Sequence, residues 1–476
     1  MWYNFIRRKV MKKFFEKYDL LKISGIMVLL SAILTWLIPY GYFSGSEMVT
    51  DEITRVGFID FAQQGLSGIY FFAVLVTFLF VLGGFYQVLS KRAGYQKLIK
   101  TISEKLKGKE IPFVLITSLV FAILTSLVNE YFPLLVLVPF VITILNRLKV
   151  DKISAFVSTF GGMLVGTLGS TFSTKVVGQF TSAFTTVTTE NVILTQTILF
   201  VIGYLLVATF TLLRMRKRSA KDFEAYDKFE LEKLENSKKA PKTWAYVIGI
   251  VLFIIVTVLA YLPWETWNIK IFTTATDWIN ELSVGGVPFL SYVFSKFTAF
   301  GKWEIAEIQV VMIAATLLIH WFGRMSLDEI FESFGEGFKK MGNVIVIMLC
   351  VYLVVVIAVS YPVIPVLIDW IATLTKNFNS FIAFACASIA SLFSVEAQYS
   401  VSLAGNYFAT MFKDAQETSL IVFQSAWGWI SFFAPSSVIL MMGLSYLNIP
   451  YKDWMKFIWK FLLIMLVIIF VIIILV

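Results

Sequence analysis

This sequence predicts an all-α protein threaded many times through a membrane, and three observations carry the prediction. Of the 476 residues, 58% are apolar, only 15% are charged, and phenylalanine alone occurs 46 times. Soluble domains carry about 25% charged residues and have no interior for so many rings. The apolar residues fall in runs of 17 or more, the length a helix needs to cross about 30 Å of hydrocarbon. The basic residues behind the net charge of +9 flank those runs, as membrane topology demands. The partner is therefore a lipid bilayer and not nucleic acid.

Residues 1–22 hold seven Lys and Arg and lead into a first span at Lys22–Tyr40, too long for the apolar part of a cleavable leader. Gly68–Val88 is the second span. Residues 95–109 put Leu98, Ile99, Ile102 and Leu106 on one face, predicting a helix in the membrane plane. Pro112–Asn146 is apolar but interrupted halfway at Asn129 and Glu130, so it reads as a helical hairpin with its tip in or near the membrane. Ile153–Glu190 is a helix broken by the cluster Ser170, Thr171 and Ser173, and Val192–Leu213 crosses again.

The mixed-charge stretch 214–242 reads as a solvated connector, and Trp244–Leu262 as an extra crossing. Ile305–Phe322 and Asn343–Tyr361 are spans. Between them 327–341 lines up Leu327, Ile330, Phe331, Phe334 and Phe338, a second helix expected in the membrane plane. A second hairpin, Phe381–Phe412, turns at Ser394, Glu396 and Gln398. A second broken helix, Ser419–Asn448, is interrupted at Pro435, Ser436 and Ser437. Phe457–Val476 is the last span.

Orientation follows from charge. Assigning 1–22, 91–110, 147–152, 214–242, 324–340 and 449–460 to the cytoplasm places 33 of the 40 Lys and Arg there. The N-terminus is then inside and the C-terminus outside. The halves match at an offset of 266 residues: Glu130 pairs with Glu396, Ser170 with Ser436, and Gly162 with Gly428. Residues 1–213 form the first repeat and 214–263 the linker and extra crossing. Residues 264–476 form the second repeat, inverted because that extra crossing is single. Inverted repeats with broken helices at matching positions are the design of secondary carriers, whose half-helix ends meet near the membrane centre.

Several other chemistries are excluded. A lone histidine, His320, leaves no His-paired metal motif, and both cysteines, Cys350 and Cys386, sit in apolar segments. Gly65-Leu66-Ser67-Gly68 resembles a protease motif, but Ser67 and His320 belong to opposite ends of their spans, roughly 25 Å apart. Gly166–Lys175 lacks the G-K-[ST] of a phosphate-binding loop. No nucleophile–base pair is present, so the chain is not read as an enzyme.

The acids and hydroxyls at the interruptions remain. Glu130 and Glu396 in apolar hairpins cost several kcal/mol unless paired or protonated. They read as ligands for an ammonium or cation, as proton carriers, or as caps for their own tips. The hydroxyls at the breaks suit a carboxylate at a half-helix N-terminus. Lys175 reads as reaching the outer headgroups, with a substrate carboxylate as the alternative.

The stretch GWISFFAPSSVILMMGLSYLNIPYKDWMKFIWKFLLIM resembles the C-terminal signature of YfcC/DcuC-like carriers of the ion-transporter superfamily. VNEYFPLLVLVPF resembles their first hairpin tip, and GGMLVGTLGST the glycine-rich approach to their first break. The resemblance implies transport of amino acids or small carboxylates. It places Asn129, Glu130, Ser170, Thr171, Pro435, Ser436 and Ser437 at the substrate. Together these readings predict a secondary active transporter of the bacterial cytoplasmic membrane, an exchanger or an H⁺- or Na⁺-coupled carrier with no other cofactor. Two hairpin acids favour amino acids, basic ones among them, over the alternative of dicarboxylates or short organic acids. A homodimer is the expected assembly.

Overall fold

The computed structural model describes residues 19–44, 47–184, 186–217, 223–229, 243–283, 285–323, 325–374, 379–394, 396–411 and 415–475. The basic segment before residue 19 and connector residues 218–222 and 230–242 lie outside this set. The protein is an all-α polytopic membrane protein. Among the described residues, seven helices are long and apolar enough to cross a membrane, with four shorter apolar helices beside them. The sheet among the described residues is a short antiparallel hairpin, β1 (Gly41–Ser44) against β2 (Glu47–Thr50), after the first span.

Helices Ala73–Ser90 and Leu327–Ser360 are 72% and 61% buried, whereas the other five candidate spans are between 22% and 33% buried. The first two are thus the most enclosed of the seven spans, and the short helices Gly162–Leu168 and Val438–Tyr446 are buried throughout. Ala73–Ser90 and Leu327–Ser360 run antiparallel: Phe72 stacks on Tyr352 at 3.5 Å, and Phe80 meets Phe338 at 4.8 Å. Glycine permits this approach. A Cβ on Gly337 would stand 2.2 Å from the carbonyl oxygen of Gly83, so the backbones touch.

The amphipathic stretch 327–341 differs from expectation. It is the first part of the unbroken helix Leu327–Ser360, started by a Ser326–Glu329 capping box. Ile330 and Gly337 are buried and Phe334 packs against Gly84 of Ala73–Ser90, while Leu327 and Phe331 on the same apolar face stay exposed. The matching stretch near 95–109 is a separate helix, Ala93–Leu106.

Two pairs of consecutive helices occupy the apolar stretches interrupted near Glu130 and Glu396. The first has arms Glu110–Leu127 and Phe132–Arg147, the second Ser380–Phe393 and Ala397–Met411. Helix is interrupted between Lys152–Leu168 and Val177–Ala183, and again between Gln416–Ile430 and Val438–Tyr446. Gly162-x-x-x-Gly166 lays the first broken helix on the hairpin arm. A Cβ at either glycine would lie 2.4 Å from a backbone oxygen of Ser118 or Ala122. Within the same helix, Val157–Gly161 widens to a π turn.

The connector corrects a second expectation. Helix Thr189–Lys217 extends into it, and residues 223–229 are docked rather than solvated. Tyr226 is 4% and Phe229 1% exposed.

Candidate functional site

The last carbonyls of a helix have no partner in that helix, and each first hairpin arm ends inside the protein. In the first half, the Ser126 carbonyl accepts the backbone N–H groups of Thr171 at 3.1 Å and Phe172 at 3.2 Å. Ser126 Oγ also donates to the Gly169 carbonyl at 2.8 Å. In the second half, the Leu392 carbonyl accepts the Ser436 hydroxyl at 2.5 Å. Ser126 and Leu392 stand 266 residues apart, as do Ser170 and Ser436. Each break is thus stitched to the end of its own hairpin arm through corresponding acceptors, with different donors: the Thr171 and Phe172 backbone in the first half, the Ser436 hydroxyl in the second.

The hairpin tips differ. Glu130 is buried, accepts the Phe132 backbone N–H at 3.3 Å, and lies 3.4 Å from the ammonium of Lys175. It is therefore both a tip cap and half of an ion pair. Lys175 crosses from the first break to the first tip, with 44% of its side chain still exposed. Glu396 accepts a hydrogen bond from the phenol of Tyr352 on Leu327–Ser360. Glu130 and Lys175 are both within Coulombic reach of Glu396. Two tips and one break therefore share a single electrostatic neighbourhood.

Beside Glu396 lies a small cavity of about 10 Å³, room for roughly one water. Tyr131 comes from the first tip, Glu396 from the second, and Thr167 from the end of the first half-helix. Trp427, Ser431 and Ser437 line it from the second break. Ser437 is the N-cap of Val438–Tyr446, yet its hydroxyl makes no capping bond. That helix end directs unpaired N–H groups and partial positive charge toward the break. The buried hydroxyls of Ser170, Ser173 and Ser394 have no hydrogen-bond partner among the described residues. These donors suit an anionic or polar ligand better than an apolar one.

The expected residues divide into two groups. Glu396 and Ser437 line the cavity, and Glu130 joins them through Lys175. Ser170 lends its carbonyl to Gln424 at 3.0 Å, which ties the two halves together. Asn129, Thr171 and Ser436 instead hold the fold. Asn129 donates to the Gly301 carbonyl at 2.8 Å and accepts from Thr174 at 3.1 Å. Thr171 bonds Ser126, and Ser436 bonds Leu392. Pro435 interrupts the helix beside Ser436, and Gln398 opens the outgoing arm of the second hairpin. Ser394 accepts the Ser400 hydroxyl at its carbonyl.

Sequence reading missed Tyr131, Thr167, Tyr352, Trp427 and Ser431. Tyr131, directly after Glu130, had a signal in its position. Tyr352 had none, being one aromatic residue in an apolar span.

The chain matches the family profile described as C4-dicarboxylate anaerobic carrier over residues 19–476. No curated protein matches it significantly. Two solved structures align along nearly its whole length. The Alcanivorax borkumensis YdaH transporter, described as having an unusual topology, is 13% identical over 95% of this chain and 97% of that one, with a TM-score of 0.39. Neisseria gonorrhoeae MtrF, described as illuminating a class of antimetabolite efflux pumps, is 13% identical over 96% of this chain and 94% of that one, with a TM-score of 0.38.

Proposed function

This chain belongs to the C4-dicarboxylate anaerobic carrier family, and we propose that it is a secondary carrier of small carboxylates that works by alternating access. The family is one of carriers and not of enzymes. The observation that carries the substrate reading is the pairing of Glu130 with Lys175. An acid already holding an ammonium of the protein is a poor receptor for a substrate's ammonium. The unpartnered hydroxyls and the helix end at Ser437 are suited to a carboxylate.

Charge balance then argues for coupling. With Glu130 and Glu396 ionised, one lysine leaves the neighbourhood with a net negative charge. A dicarboxylate entering a low-dielectric site of that sign needs compensating cations. Cotransport of H⁺ or Na⁺ supplies them, with Glu396 as the group best placed to take the proton or face the ion. An amino-acid substrate is the second reading, favoured by the Glu396 carboxylate on the cavity wall.

The stitched breaks at an offset of 266 residues support two inverted repeats as the moving parts. The basic-residue count supports a cytoplasmic N-terminus in a bacterial inner membrane, and a homodimer is the proposed assembly.

Thermal unfolding of the purified protein with succinate or lysine tests the substrate class. Succinate at 100 times its Kd should stabilise by about 2.7 kcal/mol. Stabilisation by lysine and not by succinate would favour the amino-acid reading.

A further inference from the structure

The two broken helices cross at a contact made of backbone. A Cβ on Gly428 would stand 2.6 Å from the Cα of Leu168, so the helices touch there with no side chain between them. The neighbours of that pair, Thr167 and Trp427, line the small cavity beside Glu396. Farther along the same crossing, Gln424 of the second half meets Ser170 of the first. Its Nε2 donates to the Ser170 carbonyl at 3.0 Å, and both residues are fully buried.

That hydrogen bond orients the amide. A carbonyl only accepts, so the nitrogen of Gln424 must face Ser170 and its oxygen is turned away. Gln424 Oε1 and Ser170 Oγ have no hydrogen-bond partner among the described residues, and proteins rarely leave such buried groups unsatisfied. An orphan acceptor and an orphan hydroxyl thus sit on two residues that one 3.0 Å bond joins. Gln424 also precedes Trp427 by three residues and Ser431 by seven, the spacing of one helix face. Trp427 and Ser431 both line the cavity, so Gln424 continues that wall toward the first break.

The groups at this wall ask for different partners. Hydroxyls and free helix N–H groups donate, and a carboxylate satisfies them. The amide oxygen only accepts, and an ionised dicarboxylate with no other polar group has no proton to offer it. We propose that Gln424 is a specificity-determining residue, whose Oε1 accepts from a hydroxyl or ammonium on the carbon beside a substrate carboxylate. The Ser170 hydroxyl donates to that carboxylate. The favoured cargo is then a C4-dicarboxylate carrying such a donor and not a plain one. The proposal rests on the carboxylate-carrier reading above and narrows it. A cavity of about 10 Å³ holds roughly one water, so substrate binds once it widens, and the crossing that carries Gln424 supplies one wall.

The test is calorimetric titration of the full-length protein in nanodiscs with succinate, malate, aspartate and 2-fluorosuccinate. Malate, aspartate or both should bind about tenfold tighter than succinate, because a ligand without the donor leaves a buried acceptor unpaired. 2-Fluorosuccinate carries a polar group on that carbon but no proton to donate, and should bind like succinate. Gln424→Met, an apolar near-isostere, should bring the affinity ratio of the donor-bearing ligand to succinate down to about one. Ser170→Ala should weaken every ligand and keep the ratio. Each ratio is taken within one protein, so any stability lost with the Ser170–Gln424 bond cancels. The parent's ranking of the four ligands decides even where Gln424→Met fails to fold. Equal affinities in the parent, tight binding of 2-fluorosuccinate, or a preference that survives Gln424→Met overturns the role of Gln424 and leaves the carboxylate reading intact. Binding of lysine and of none of the dicarboxylates overturns both.

Discussion

Adjacent serines at the second break have different work, and the difference can be measured. Ser436 satisfies the orphan carbonyl of Leu392 at 2.5 Å, so Ser436→Ala should lower stability by about 1–3 kcal/mol. Ser437 faces the cavity without a capping bond. Ser437→Ala should keep the melting temperature and weaken succinate binding about tenfold. Equal effects of the two substitutions on both readouts would contradict the assignment. Glu130 and Lys175 make a similar case. Glu130→Gln and Lys175→Gln should each destabilise, and the double variant should cost less than the sum. A coupling of about 1 kcal/mol in thermal unfolding fits a pair with one partly exposed member. The sequence already singled out both acids, because a carboxylate in an apolar run is conspicuous. Their partners were not legible. Lys175 and Tyr352 lie 45 and 44 residues from the acids they contact, and no local pattern encodes such a meeting.

At the scale of elements, the antiparallel pair Ala73–Ser90 and Leu327–Ser360 depends on backbone contact at Gly83 and Gly337. Gly337→Val would drive a side chain into the Gly83 carbonyl and should cost about 1–3 kcal/mol or more in thermal unfolding. Gly335→Val, on the same helix with open space around it, should change stability little. Comparable losses at both positions would show that helix propensity, not the crossing, sets the cost. Polar residues that interrupt long apolar runs are visible in the sequence, and helices end near them at Leu127, Leu168, Phe393 and Ile430. The continuity of Leu327–Ser360 is not visible there. Amphipathic periodicity looks the same whether a helix packs on lipid headgroups or on another helix, and only the partner Ala73–Ser90 decides between them.

At the scale of the whole molecule, the docked connector shows the limit of reading charge alone. The stretch 214–242 is rich in charge, yet Tyr226 and Phe229 within it are buried, because two aromatic side chains can anchor a polar segment in a preformed cleft. Topology is testable directly. Cysteines placed at Thr50 and at Glu224, which is 80% exposed in its side chain, should react from opposite faces of the membrane in a cysteine-free background. Reaction from one face would remove the basis for an inverted second half. The central claim is that hairpin tips and helix breaks together form a carboxylate site with alternating access. Its most direct test is counterflow in proteoliposomes, where vesicles loaded with unlabelled succinate are placed in a trace of labelled succinate. The parent protein should accumulate label transiently, and Ser437→Ala should do so with an affinity about tenfold weaker. Accumulation of labelled lysine with none of succinate would contradict the account.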